Sequence, residues 1–362
     1  VTDVKVNSEM SKDQNSGSKE PIGNRINSEA PKSNNNPWSA MSMGRLFFLM
    51  GVSLALSTFT PFSIFVAAPL AMALLVYGPL KAVSAFLVTG AVLSGFIGGA
   101  VISPVSGVIF SISIVYAFCV FLIVKKQFSP SHGLFRFGIA IGLVVLGAYL
   151  AMTQFGSFSL ESHLQNMVNT GIEEIKSSQE FSQIVAQGGD EVRALQDLIK
   201  NPKSLVKEMV EWAPSAVVVS IFLTLWTTLF IVLRNSFVWR GNYKYSFQLK
   251  DLVQFRAPDW FVYAVIIGLA LIAGGDYILG KNSEVWGMNI LYSFGIFYLF
   301  QGIGLVLELF DSLKIFGLFR SMLLMFMVFS AWKIIAVVGL FDHWFDFKKI
   351  LKKDKNNEGD LI

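Results

Sequence analysis

The sequence is poor in charge. Only 15% of its 362 residues are Asp, Glu, Lys or Arg, where a soluble domain carries about 25%. That shortage excludes an ordinary soluble fold and whole-chain disorder. The formal net charge of +4 is modest and spread over connecting segments, so there is no basic stripe for a nucleic-acid backbone. The one cysteine, Cys119, lies in an apolar run and excludes both an intramolecular disulfide and a cysteine-based metal site. Histidine is scarce too: His132, His163 and His343 are the three, and the chain reads them in loops or tails. No HExxH motif and no P-loop occurs. Zinc hydrolysis and ATP hydrolysis by those routes are therefore not expected, and no cofactor is implied.

Apolar and aromatic residues are plentiful. Hydrophobic residues make up 53%, Phe alone numbers 33, and mean hydropathy is +0.56. The expected fold class is all-α: a polytopic transmembrane helical bundle of about 8–10 membrane segments with an extramembrane amphipathic helical insertion. A bilayer span needs about 20 residues. Leu46 to Tyr77 is uncharged, with Pro61 near its middle. A hairpin over roughly 45–59 and 62–78 is the preferred reading, and one kinked, tilted helix is the alternative. Ala82 to Val124 is long enough for two spans, with a break at GGAVISPVSG (98–107). A fifth span is expected over about 137–156, a sixth over 213–233, a seventh over about 260–279 and an eighth over about 286–307. Ser321 to Phe341 is either one helix or two short ones around Ser330–Lys333.

Five regions follow. Residues 1–40 are rich in Ser, Asn, Lys and Glu and read as a disordered tail. Residues 41–157 hold the first transmembrane helices. MSMGRLFFLM (41–50) looks like a membrane-protein beginning, so a translation start at Met41 or Met43 is one expectation. Residues 158–212 are acidic, with Leu160, Leu164, Met167, Val168, Ile172 and Ile175 at helical spacing. They are expected to form two or three amphipathic helices outside the membrane, one of them running from Asn201-Pro202 to Val210. Residues 213–347 are the C-terminal transmembrane helices, and 348–362 a basic tail. Lys125, Lys126 and Arg136, then Arg234, Arg240, Lys244, Lys250 and Arg256, mark cytoplasmic loops by the positive-inside rule. The expected site is the bacterial cytoplasmic (inner) membrane, with the N-terminus inside.

Charges at membrane depth are costly and so are candidates for function. Asp276 ends span seven, Glu308 ends span eight, and Lys333 sits inside an apolar run. Interfacial capping or snorkelling is the plainer reading of all three. Asn289 and Gln301 lie twelve apart on span eight, too far to touch. Each either bonds a neighbouring helix or lines a polar cavity. No serine or aspartate pairs with a second catalytic group, so no enzyme is expected.

The C-terminal third carries a recognisable pattern: WAPSAVVVS at 212–220, FRAPDW at 255–260, NILYSFGIFYLFQGIGLVLELF at 289–310, and GLFDHWFDFKK at 339–349. It resembles the YybS-like bacterial membrane family, a family of unknown function. The resemblance implies roles for Asn289, for Gln301-Gly302, and for Gly339, Asp342, Trp344, Asp346 and Phe347. Lys348 stands where that family has arginine, which keeps the charge but loses the bidentate fork. The N-terminal helices are similar to the substrate-binding components of energy-coupling-factor transporters. Two functions follow as expectations. One is a small-solute-binding or transport component without its own ATPase, partnered by a coupling ATPase complex. The other is a cell-envelope assembly protein that docks a partner through the 158–212 helices. The lipid bilayer is a partner in both.

Overall fold

A computed structural model describes residues 43–156, 159–177, 199, 201–275, 277, 280, 282–345 and 347. The expected tail at 1–40, the basic tail at 348–362, Asp276 and Asp346 lie outside the described residues. Among those described, every regular element is helical. Seven helical segments are long and apolar enough to cross a membrane, and two shorter apolar helices accompany them.

Proline and glycine set the boundaries. Helix α1 (Met43–Thr58) leads through a 3₁₀ turn (Thr60–Phe65), with Pro61 in its first turn, into α2 (Ala67–Tyr77). Helices α1 and α2 pack on each other, so 46–77 is a pair of helices. Gly78 takes φ +80, which a side chain disfavours, and α3 (Pro79–Gly98) starts on a proline, whose fixed φ suits the first helical position. The break at 98–107 falls where expected: Ser103 caps α4 (Pro104–Lys125) by accepting the Val105 N–H. Helix α5 (Pro130–Phe155) begins earlier than the sequence suggested. Ser129 accepts the His132 N–H as its cap, so His132 and Arg136 are helical rather than in a loop.

The amphipathic helix α6 (Leu160–Ser177) forms as expected and packs on α7 (Pro202–Arg234). Helix α7 corrects the sequence reading. The expected short helix to Val210 and the separate span from Ala213 are one continuous helix, with Pro214 inside it. Pro214 removes one N–H and crowds the carbonyl one turn earlier, but the helix continues, with Asn289 supplying a polar partner at that turn.

A short helix α8 (Ser236–Trp239) and α9 (Leu249–Val253) follow on the connector. There the Tyr245 hydroxyl donates to the Phe128 carbonyl at 2.8 Å. Burial, then the nearby Asp251, pushes its pKa up, so the donor stays protonated. Helix α10 (Phe261–Gly274) lies antiparallel to α11 (Ser283–Ser312): Phe261 meets Phe294, Gly268 meets Gly287, and Gly275 meets Ser283. Helix α12 (Gly317–Phe345) is interrupted at Ala331, whose φ −131 and ψ 26 are not helical. The open choice over 321–341 thus resolves as two helical pieces joined at a kink.

The α11–α12 contact is made by backbone. A Cβ on Gly302 would strike the Ile335 carbonyl, and one on Gly339 the Tyr298 carbonyl. Small residues allow such approach between membrane helices. Gly142 on α5 has open space where its Cβ would be. Gly339→Val should therefore cost about 1–3 kcal/mol by overpacking, and Gly142→Val should stay within about 0.5 kcal/mol. Thermal unfolding in detergent of the two variants checks this.

Candidate functional site

Helix α11 carries both amides singled out in the sequence. Asn289 lays its side chain across the interrupted turn of α7. Its Oδ1 accepts the Ser215 N–H at 2.9 Å and its Nδ2 donates to the Glu211 carbonyl at 2.7 Å. A regular helix would join those two groups to each other. The Nδ2 also donates to Val285 at 2.9 Å on its own helix.

Gln301 is fully buried, near the middle of α11. Its Oε1 accepts the Ala257 N–H at 3.0 Å, and its Nε2 donates to Asp342 Oδ2 at 2.9 Å. Ala257 belongs to FRAPDW, which is non-helical between α9 and α10. Pro258 disfavours the helical region for the residue before it, so the Ala257 N–H has no helical acceptor. Phe255 of the same segment is buried against Phe297 and Phe300. The segment therefore meets α11 about 16 Å from that helix's C-terminal end, at 1.5 Å per residue. Backbone outside helices survives at membrane depth only where protein encloses it and its polar groups find partners.

Asp342 is 4% exposed. The second oxygen, Oδ1, is buried without a hydrogen-bond partner among the described residues, as are the Tyr298 hydroxyl and His343 Nδ1. His343 Nε2 lies 3.8 Å from Asp259 of the FRAPDW segment. Gln301, Asp342, Ala257 and Asp259 thus come together from three chain segments. Asn289 stands apart, and Lys333 is exposed with its ammonium 5.5 Å from the Trp332 ring centroid.

Glu308 is half-buried and lines a cavity of about 540 Å³ between α7, α9, α11 and α12. Arg234, Lys250 and Arg320 line it with Asp311 and Glu308, over walls that include Phe230 and Leu324. Arg320 is fixed: Nη1 reaches Asp311 Oδ1 at 2.5 Å and Nη2 donates to the Leu307 carbonyl at 3.0 Å. The sequence pointed to neither Arg234 nor Arg320 as a site residue. Both stand at helix ends beside charged loops, and only the packing brings them together. No group of residues able to hold a metal ion occurs among those described.

The family model described as "Predicted membrane protein (DUF2232)" matches residues 46–343. The chain belongs to this family. It is a multi-pass membrane protein of an uncharacterised family, and the family match covers both polar clusters and the cavity. No curated protein and no solved structure matches the chain.

Both amides of α11 are committed to the protein's own groups. Gln301→Leu would strand the Ala257 N–H and the Asp342 carboxyl together, at a cost of about 3 kcal/mol. The paired change Gln301→Leu with Asp342→Leu should cost less than the sum of its single changes. A double-mutant cycle by thermal unfolding reads that coupling; additive costs would show that the two side chains do not act as a unit.

Proposed function

We propose that this protein is a membrane-embedded binding component, transport-like and without its own ATPase, rather than an enzyme. The observation that supports the reading is the 540 Å³ cavity at the mouth of the unwound 254–260 segment. Discontinuous helices with unwound backbone at mid-depth are the usual construction of transporter binding sites. Here α10 begins part-way along α11, and α12 is interrupted at Ala331. The ligand would lie against α7, α9, α11 and α12, rather than between the N-terminal helices. Helix α2 at the centre of that half buries Ala67, Leu70, Ala71, Leu74 and Leu75 completely, and the groove between α3 and α4 has hydroxyls committed to their own helices, Ser94 to Gly90 and Ser111 to Gly107. In this reading the membrane is the bacterial cytoplasmic membrane, and the basic 234–256 connector and the N-terminus face the cytoplasm. A separate coupling ATPase complex supplies the energy.

A second reading, assembly of the cell envelope through the 158–212 helices, draws on one feature. Residues 143–150 of α5 are exposed around the whole helix just before α6. That stretch and α6 could seat a partner helix.

The test is purification in mild detergent, with mass spectrometry of retained proteins and small molecules. Wild type is expected to carry a small ligand and an ATPase complex, and Leu324→Trp, which fills the cavity, to lose the ligand. Identical small-molecule content in both would reject the binding reading. Envelope proteins lost on deleting 158–210 would favour assembly.

A further inference from the structure

We infer that the cavity takes a phosphate-bearing anionic amphiphile, a lipid headgroup with its chain against the cavity's apolar walls; the inference rests on reading this cavity as a ligand site. Three cations line it against two carboxylates: Arg234 from α7, Lys250 from α9 and Arg320 from α12, with Glu308 and Asp311. Asp311 is matched by Arg320 in the 2.5 Å pair. That pair and the Leu307 carbonyl engage one N–H from each of the two Nη atoms, and a guanidinium has five. Arg320 is thereby held in place with donors to spare. Among the described residues, the hydrogen bonds of Arg234 go to Ser321 Oγ, at 3.4 Å from each Nη, a contact at the long limit for a hydrogen bond. Both Arg234 and Lys250 are exposed.

Phe230, Leu249, Val253, Leu307 and Leu324 supply apolar walls, with Gln254 and Ser321 as uncharged polar groups. A headgroup at the cationic rim would leave its chain against these apolar walls. Basic pockets between membrane helices at the cytoplasmic side have the chemistry that anionic headgroups require. A soluble phosphate ester would satisfy the cations but leave the apolar walls unused.

The full chain is tested in neutral detergent by native mass spectrometry, with dioctanoyl phosphatidylglycerol, dioctanoyl phosphatidylcholine and inorganic phosphate as probes. Phosphatidylglycerol is expected to bind wild type in preference to phosphatidylcholine. The double variant Arg234→Gln with Lys250→Gln should bind it about tenfold more weakly, while Lys81→Gln, a cation on α3, should bind as wild type does. Neither Arg234 nor Lys250 is buried, so both should fold, and an unchanged melting temperature checks that. Displacement by inorganic phosphate at equal concentration supports phosphate recognition but assigns the source as soluble. Equal phosphatidylcholine binding, or undiminished phosphatidylglycerol binding in the double variant, overturns the inference. A neutral ligand lost with Leu324→Trp but kept in the double variant also overturns it, while leaving the binding reading intact.

Discussion

The need to satisfy backbone polar groups away from water shapes the C-terminal half. The FRAPDW segment leaves the helical ladder beside the middle of α11, and each N–H there needs an acceptor. Gln301 meets this need for Ala257 and turns its other end to Asp342. One side chain therefore fixes the unwound segment to α11 and the second piece of α12 to both. Helix α10 is short for the same reason: it starts where the unwound segment ends, part-way along α11, and has only 14 residues.

Helix α11 acts as a spine with two differently aimed clasps. Twelve residues at 100° each place Asn289 and Gln301 about 120° apart around the helix and about 18 Å apart along it. The first holds α7 at Pro214, the second holds 257 and 342. Aromatic packing fills the space between. Phe297 touches Phe135, Phe222 and Phe261 with centroids 4.6–5.0 Å apart, and Trp226 stacks on Phe300 at 5.1 Å. Such pairs add about 0.5–1.5 kcal/mol each beyond burial. They also reach α5, through Phe135, and so join the two halves of the bundle.

Much of this was legible in the sequence, for a local reason. The helix breaks at Pro61 and before Pro104 are read from proline and glycine, whose effect on the backbone needs no distant partner. Asn289 and Gln301 stood out as polar groups in apolar surroundings, and Asp342 through the family pattern. Their partners did not, because two are backbone groups far along the chain: Ser215 is 74 residues from Asn289, and Ala257 is 44 from Gln301. A backbone N–H leaves no mark in the composition. The break expected between Val210 and Ala213 does not form, for the complementary reason. Pro214 locally favours a helix boundary, and the tertiary amide of Asn289 makes a continuous helix tolerable there. The Arg234–Lys250–Arg320 grouping was hidden too, since each residue read singly is an ordinary charge at a membrane boundary.

The kink at Ala331 separates two kinds of attachment. Beyond it, Ile335 and Gly339 press on the α11 backbone and Asp342 is buried. Before it, α12 is largely exposed: Leu318, Phe319, Met322, Phe326 and Phe329 all face outward, and its polar attachments are Arg320 to Asp311 and Leu307 and the longer contact of Arg234 with Ser321. Burial sets how much free energy resists local opening. The first piece of α12 is therefore the less firmly held wall of the cavity, and the clasped piece is the fixed one. A ligand bridging Arg234 on α7 and Arg320 on α12 would tie the looser wall to the spine. Its binding would then be coupled to the position of that helix, because a ligand shifts an equilibrium between conformations only by the contacts that differ between them.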